Sequence, residues 1–231
     1  MSQGSSDRVE EREALVALIE SEVADTAIYT GRSELRGAVL DAMRAVPREA
    51  FVPVEEAYAA YANVPLPIGH FQTISQPYIV ALMTDLLDPE PGDVMLEIGT
   101  GSGYQAAVLS ELVDRVYSVE VLPQLAESAA ERLDRLGFDN VVTREGDGNL
   151  GWPEHAPFDG IVVTAGAPEV PPALVEQLKP GAVLVIPVAS GFNQMLKRIT
   201  RDADGDVHSE DVLPVAFVPL VKGNGDRPED P

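Results

Sequence analysis

The segment Glu97-Ile98-Gly99-Thr100-Gly101-Ser102-Gly103-Tyr104 constrains this chain more than any other. It follows the apolar run Val94-Met95-Leu96 and precedes a helix-like stretch over 104–112. Strand, glycine turn and helix, in that order, make a Gly-rich motif credible as a nucleotide site. Glycines permit a tight turn and let a ligand lie against bare backbone. A dinucleotide fingerprint has Gly or Ala at its sixth position, where helix and strand pack closely. Here that position is Tyr104, too large for the role. A G-x-G-x-G turn with an acid two residues ahead suits S-adenosylmethionine (AdoMet), which has no pyrophosphate to cradle. Gly99, Thr100, Gly101 and Gly103 are therefore expected to line a cofactor site. Glu97 is expected to steer the methionine amine or to support the turn.

Two further acids fall where such a cofactor needs them. Val116-Tyr117-Ser118-Val119-Glu120 reads as a second strand ending in a carboxylate. It lies about 20 residues past the turn, the usual reach to ribose hydroxyls. Residues 141–144 read as a third strand that runs on to Asp147, between Gly146 and Gly148. An acid flanked by glycines can approach the adenine amino group unobstructed. Each acid alone has a plainer reading, as a solvated strand-end charge or, for Asp147, a turn. In order, each near the carboxyl end of a strand, the three favour AdoMet. Thr164 and Ala165 follow a fourth strand, where ligands bind in open α/β sheets.

Composition narrows the class. With 231 residues and 45% hydrophobic content the chain can bury the core of one moderate domain. No apolar run approaches the ~20 residues needed to span a bilayer. The first ten residues lack an apolar signal region, so a cytoplasmic protein is expected. The absence of cysteine excludes disulfides, thiolate metal sites and cysteine nucleophiles. His70, His155 and His208 lack metal-ligand spacing, and no metal is expected. The net charge of −22 disfavours nucleic acid, whose affinity comes largely from phosphate neutralisation. It suits a high-salt cytoplasm, where self-repulsion is screened, and predicts a halophilic source. An ordinary acidic protein is the alternative. A monomer acting without membrane contact is expected.

Periodicity supplies the architecture. Helices are predicted over 7–29, with Val9, Leu15, Val16, Leu18, Ile19 and Val23 as its apolar stripe, over 33–45 with Ser33 as N-cap, and over 76–87. Residues 51–68 read as an irregular or partly helical linker. Strands at 94–98, 116–119, 141–144, 158–163 and 182–187 alternate with helices at 105–112, 123–136 and 172–178. This is the pattern of a Rossmann-like α/β fold, a mostly parallel, doubly wound sheet. Strands at 194–200 and 212–219 around a turn at 201–206 predict a C-terminal β-hairpin. The expected organisation is an N-terminal helical extension with a substrate loop (1–75), an AdoMet-binding core (76–190), strands completing the sheet (191–222) and a disordered tail (223–231).

The substrate comes from a resemblance. Gln72-Thr73-Ile74-Ser75-Gln76-Pro77 resembles the signature of the protein-L-isoaspartate (D-aspartate) O-methyltransferase family. Val46-Pro47-Arg48-Glu49-Ala50-Phe51-Val52-Pro53 and Leu66-Pro67-Ile68-Gly69 are similar to the segments upstream of it. Gly146-Asp147-Gly148, Ala156-Pro157-Phe158-Asp159, Val162-Val163-Thr164-Ala165, Asn193-Gln194-Met195-Leu196 and Phe217-Val218-Pro219-Leu220 follow in the family's order. The resemblance runs from about Ser33 to Lys222. It implies methyl transfer to the free α-carboxylate of isoaspartyl residues in aged proteins. The ester then recloses to a succinimide, which gives the normal linkage another chance to form. It also implies that Ser75 is catalytic, hydrogen bonding to the acceptor carboxylate, with Thr73 beside it and Ile74 closing over the methyl group. Without the resemblance Ser75 reads as a helix N-cap before Pro77.

Gly181-Ala182 and Ala189-Ser190 vary family glycines, and the chain departs most clearly ahead of Gln-Thr-Ile-Ser, where the family has Gly-x-Gly. Here the run is Gly69-His70-Phe71. Phe71 stands where glycine permits special dihedrals or close substrate approach. It is expected to line the peptide groove or pack over the cofactor, or to mark a changed substrate. A methyltransferase of another substrate and a non-catalytic AdoMet-binding module are thus the alternatives.

Overall fold

The computed structural model describes residues 3–202 and 204–223. Of the tail expected at 223–231, all but Gly223 lies outside the described residues. Two long helices lead the chain: α1 (Gln3–Thr30) and α2 (Gly37–Ala45). Leu15, Val16, Ile19 and Val23 of α1 are buried as the periodicity predicts, whereas Val9 and Leu18 face solvent. Helix α2 begins later than expected: Arg36, not Ser33, takes the cap position. Arg32 and Arg36 instead reach the buried Asp85 carboxylate, at 3.3 and 3.2 Å. A 3₁₀ turn (Arg48–Phe51) follows α2, and the residues read as an irregular or partly helical linker form a second 3₁₀ turn (Val54–Ala59) and strand β1 (Leu66–Gly69). Strand β1 pairs antiparallel with β2 (Gln72–Ile74). Helix α3 (Pro77–Leu86) follows, with proline in its first turn, where a missing N–H costs nothing.

The sheet then alternates with helices as expected: β3 (Val94–Ile98), α4 (Tyr104–Ser110), β4 (Arg115–Glu120), α5 (Pro123–Leu136), β5 (Val141–Glu145), β6 (Phe158–Val163), α6 (Pro172–Glu176), β7 (Leu178–Ser190), β8 (Asn193–Arg201) and β9 (Val207–Val215). Helix α5 starts at a proline and stops at Gly137, whose φ of +83° closes a left-handed C-cap. The seven strands lie in the order β5-β4-β3-β6-β7-β8-β9. The first five in that order are parallel and the last two antiparallel. Side chains alternate between faces. Met95 and Val162 join the core shared with α1–α4; Leu96, Ile98, Ile161 and Val163 join a second core with Trp152 and Leu174. The chain reverses its direction of travel across the sheet between β3 and β6, the switch point where open α/β sheets bind ligands.

Two strand readings needed correction. Strand β7 runs past Pro187 because that proline lies beyond Val185, its last partner on β6, so no ladder bond is lost there. The final strand is shifted: β9 ends at Val215, and residues 216–221 leave the sheet.

Candidate active site

The glycine turn crosses the carboxyl ends of β3, β4 and β6. Thr164, just past β6, donates its hydroxyl to Gly99 O at 2.6 Å and Ile98 O at 3.1 Å. A Cβ at Gly99 would stand 2.5 Å from that hydroxyl, and φ there is +96°. Only glycine meets both demands. Gly148 is constrained by space alone: a Cβ would collide with Ile98 Cγ2. Glu120 ends β4 with its carboxylate folded back on the turn. It accepts from Gly101 N at 2.8 Å and Leu122 N at 3.0 Å. Burial pushes its carboxyl up, against the pull of these amides.

Glu97 lies beneath the turn rather than in the cavity. It is fully buried and its Oε1 has no hydrogen-bond partner. Ser118 Oγ donates to its Oε2 and meets Thr100 Oγ1 at 2.5 Å. Burial pushes the carboxyl up to about 8, more than the Ser118 hydroxyl and the Ala106 amide restore. Of the two roles expected for Glu97, this placement favours turn support. Asp147 stands behind Gly148, capping a short 3₁₀ turn through Asn149 N at 2.9 Å. Burial raises its carboxyl, but Asn149, the Gly223 amide and Lys222 outweigh that and leave it below the usual range. Gly103 packs on Leu133 of α5.

The β1–β2 hairpin closes the opposite side. Its two-residue turn is His70-Phe71, and both have positive φ, +50° and +55°. That is the requirement of a type I′ turn, normally met by Asn-Gly. The ladder skips Ile68, so a bulge separates Pro67 from Gly69. Ile68 reaches the glycine turn, its Cδ1 being 3.5 Å from where a Gly101 Cβ would lie. The hairpin therefore leans on the glycine turn. Phe71 is 61% exposed at its tip and does not line the cavity. Ser75 does not cap α3. Gln76 holds the cap position and no side-chain cap bond forms.

A cavity of about 210 Å³ lies between hairpin and turn. Thr73, Ile74 and Ser75 line it from the hairpin, and Gly99, Thr100, Gly101, Glu120, Gly148 and Thr164 from the sheet. Of the predicted site residues, Phe71, Glu97, Gly103 and Asp147 are outside this lining. The structure adds Tyr104, Gln105 and, least expected, Val218–Val221. Gln194 directs that last segment inward. Its Oε1 accepts from Phe217 N at 2.7 Å and its Nε2 donates to Phe217 O at 3.0 Å. Gly166 then brackets residues 218–220 through two backbone bonds of 2.8 Å. The available sign was Pro219, which cannot donate to a ladder.

The residues fit AdoMet. A bare glycine turn, a buried carboxylate with its amides at the end of β4, and a glycine against Ile98 form a cradle that a Cβ would fill. Comparison with known proteins settles the family. The family model for protein-L-isoaspartate(D-aspartate) O-methyltransferase matches residues 23–225. The chain belongs to that family. Within it, the chain is 54% identical over 214 residues to protein-L-isoaspartate O-methyltransferase 2 of Syntrophobacter fumaroxidans, covering 92% of this chain and 87% of that one. It is 58% identical over 196 residues to its namesake from Pelobacter propionicus, covering 84% and 87%. A solved protein-L-isoaspartate O-methyltransferase superposes with a TM-score of 0.79 at 29% identity, covering 93% of this chain and 67% of that one. A Plasmodium falciparum structure described as the same kind of enzyme, in complex with S-adenosyl-L-homocysteine, superposes at 0.73 and 25% identity, over 89% and 97%. As a family member, the enzyme uses AdoMet, and the family match spans the β1–β2 hairpin.

Proposed function

We propose that the protein methylates the free α-carboxylate of L-isoaspartyl and D-aspartyl residues in damaged proteins, with AdoMet as methyl donor. One observation carries the reading at the level of the site: the Gln72–Ser75 segment and the glycine turn face each other across one cavity. Donor and acceptor thus have opposite walls. Gly99, Gly101 and Gly148 give the cofactor bare backbone, Glu120 faces its ribose hydroxyls, and Ile74 closes over it. When bound, AdoMet supplies an electrophilic methyl on a sulfonium.

The protein's part is then positional. An ordinary carboxylic acid titrates near pH ~4, so the acceptor is already ionised at neutral pH and needs no general base. Ser75 Oγ has no partner among the described residues. We assign it to donate a hydrogen bond to the acceptor carboxylate, with Thr73 beside it. Orientation of this kind supplies about 7–11 kcal/mol in favourable cases.

The extended proposal is a cytoplasmic monomer that acts on proteins and peptides without nucleic acid or membrane contact, in a high-salt cell interior. No helix among the described residues is long and apolar enough to cross a membrane. The test of the assignment is Ser75→Ala. Methyl transfer to an isoaspartyl peptide is expected to fall at least about tenfold with AdoMet affinity retained; an undiminished rate with intact fold would remove Ser75 from the reaction.

A further inference from the structure

Methyl transfer as derived above leaves one buried charge unused. Arg48 is fully buried, and no carboxylate pairs with it among the described residues. Its guanidinium is spent on main-chain carbonyls. Nη1 donates to Ala60 O at 2.6 Å, and Nη2 donates to Val64 O and to Ser75 O, both at 3.1 Å. Its Nε has no partner, and Cζ lies 5.7 Å from the centre of the Tyr104 ring. Tyr104 is itself a lining residue of the cavity, held edge-on by Phe51 at 5.5 Å.

A cation buried without a counter-charge is costly, so a neutral residue would serve packing alone better. What Arg48 supplies is a rigid fork that fixes three carbonyls from two stretches of chain. One of the three belongs to Ser75, the other two to the segment leading into β1. Backbone before and after the hairpin is thus tied to one planar group. The Ser75 hydroxyl leaves the same residue whose carbonyl is held.

We propose that Arg48 is a positioning residue for methyl transfer, fixing the Ser75 main chain so that its hydroxyl meets the acceptor carboxylate. The idea rests on the assignment of Ser75 above. It acts through Ser75 and requires no contact between Arg48 and substrate. Lysine keeps the charge but has no fork, so Arg48→Lys separates the two contributions.

The experiment is a double-variant cycle on the full chain, read by methyl transfer from AdoMet to an isoaspartyl peptide. The wild-type rate reports on the function itself. Arg48→Lys is expected to lower kcat about tenfold or more, since misplacement of about 1 Å can cost a hundredfold. The dissociation constant for S-adenosylhomocysteine should stay within about twofold, because lysine keeps a cation near Tyr104 and Arg48 makes no hydrogen bond to the glycine turn. Adding Arg48→Lys to Ser75→Ala should cost almost nothing further. If the variant does not fold, Arg48→Gln, which removes the buried charge, takes its place. An unchanged kcat, or losses that multiply in the double variant, would overturn the proposal. So would a Ser75→Ala enzyme at full rate, which leaves Arg48 nothing to position.

Discussion

At the single-residue scale, the two residues of the β1–β2 turn carry backbone strain. His70 and Phe71 both occupy the left-handed region, which costs an L-residue about 1–2 kcal/mol. Phe71→Gly should relieve part of this. Phe71 is exposed, so little packing is lost. The expected gain is about 0.5–1 kcal/mol in denaturant unfolding; a loss of stability would show that the ring contributes more than its turn costs. Glu97 gives a pH-dependent effect. Its carboxyl is raised by burial to about 8 in the folded protein, from 4.5. Between these values the folded state holds a proton that the unfolded state has released. Its contribution is therefore full below pH 4.5 and declines as pH rises towards 8. Glu97→Gln should hold its stability better than wild type over that range. The relative gain is a few kcal/mol, because each tenfold difference in proton affinity between the two states is worth about 1.4 kcal/mol. Parallel stability curves would mean that Glu97 is ionised in the folded protein.

The elements show what the sequence makes legible. The alternating strands and helices were readable because buried parallel strands are short apolar runs punctuated by glycine and proline, and α5 and β6 fall where predicted. The β1–β2 hairpin was hidden. Its turn is His-Phe instead of Asn-Gly, and a bulge breaks its alternation. The cavity wall from residues 218–221 was hidden for another reason: it depends on Gln194, one strand away, and side-chain clamps leave no local pattern. The glycine turn and Glu120 were legible because backbone exposure and strand-end acids have fixed spacings, whereas the burial of Glu97 below the turn is set by tertiary packing. Gln194→Ala tests the clamp. Two hydrogen bonds worth about 1 kcal/mol each are lost. Affinity for S-adenosylhomocysteine should weaken by up to about tenfold, with Ser75 and the hairpin undisturbed. Unaltered affinity would detach residues 218–221 from the cofactor site.

Charge and fold meet at the scale of the whole molecule. A net charge of −22 on 231 residues opposes compaction in dilute buffer. The Debye length shrinks from about 10 Å at 0.1 M salt to about 3 Å at 1 M. The unfolding temperature should therefore rise with potassium chloride over that range; a flat response would remove the argument for a high-salt setting. The fold, the cofactor turn and the signature hairpin converge on one activity, and methyl transfer to isoaspartate tests it most directly. Paired peptides, identical except for one isoaspartyl or one ordinary aspartyl linkage, are incubated with labelled AdoMet and the enzyme in molar potassium chloride. Base-labile label on the isoaspartyl peptide alone is the predicted result; label on both peptides, or on neither while S-adenosylhomocysteine still binds, would contradict it.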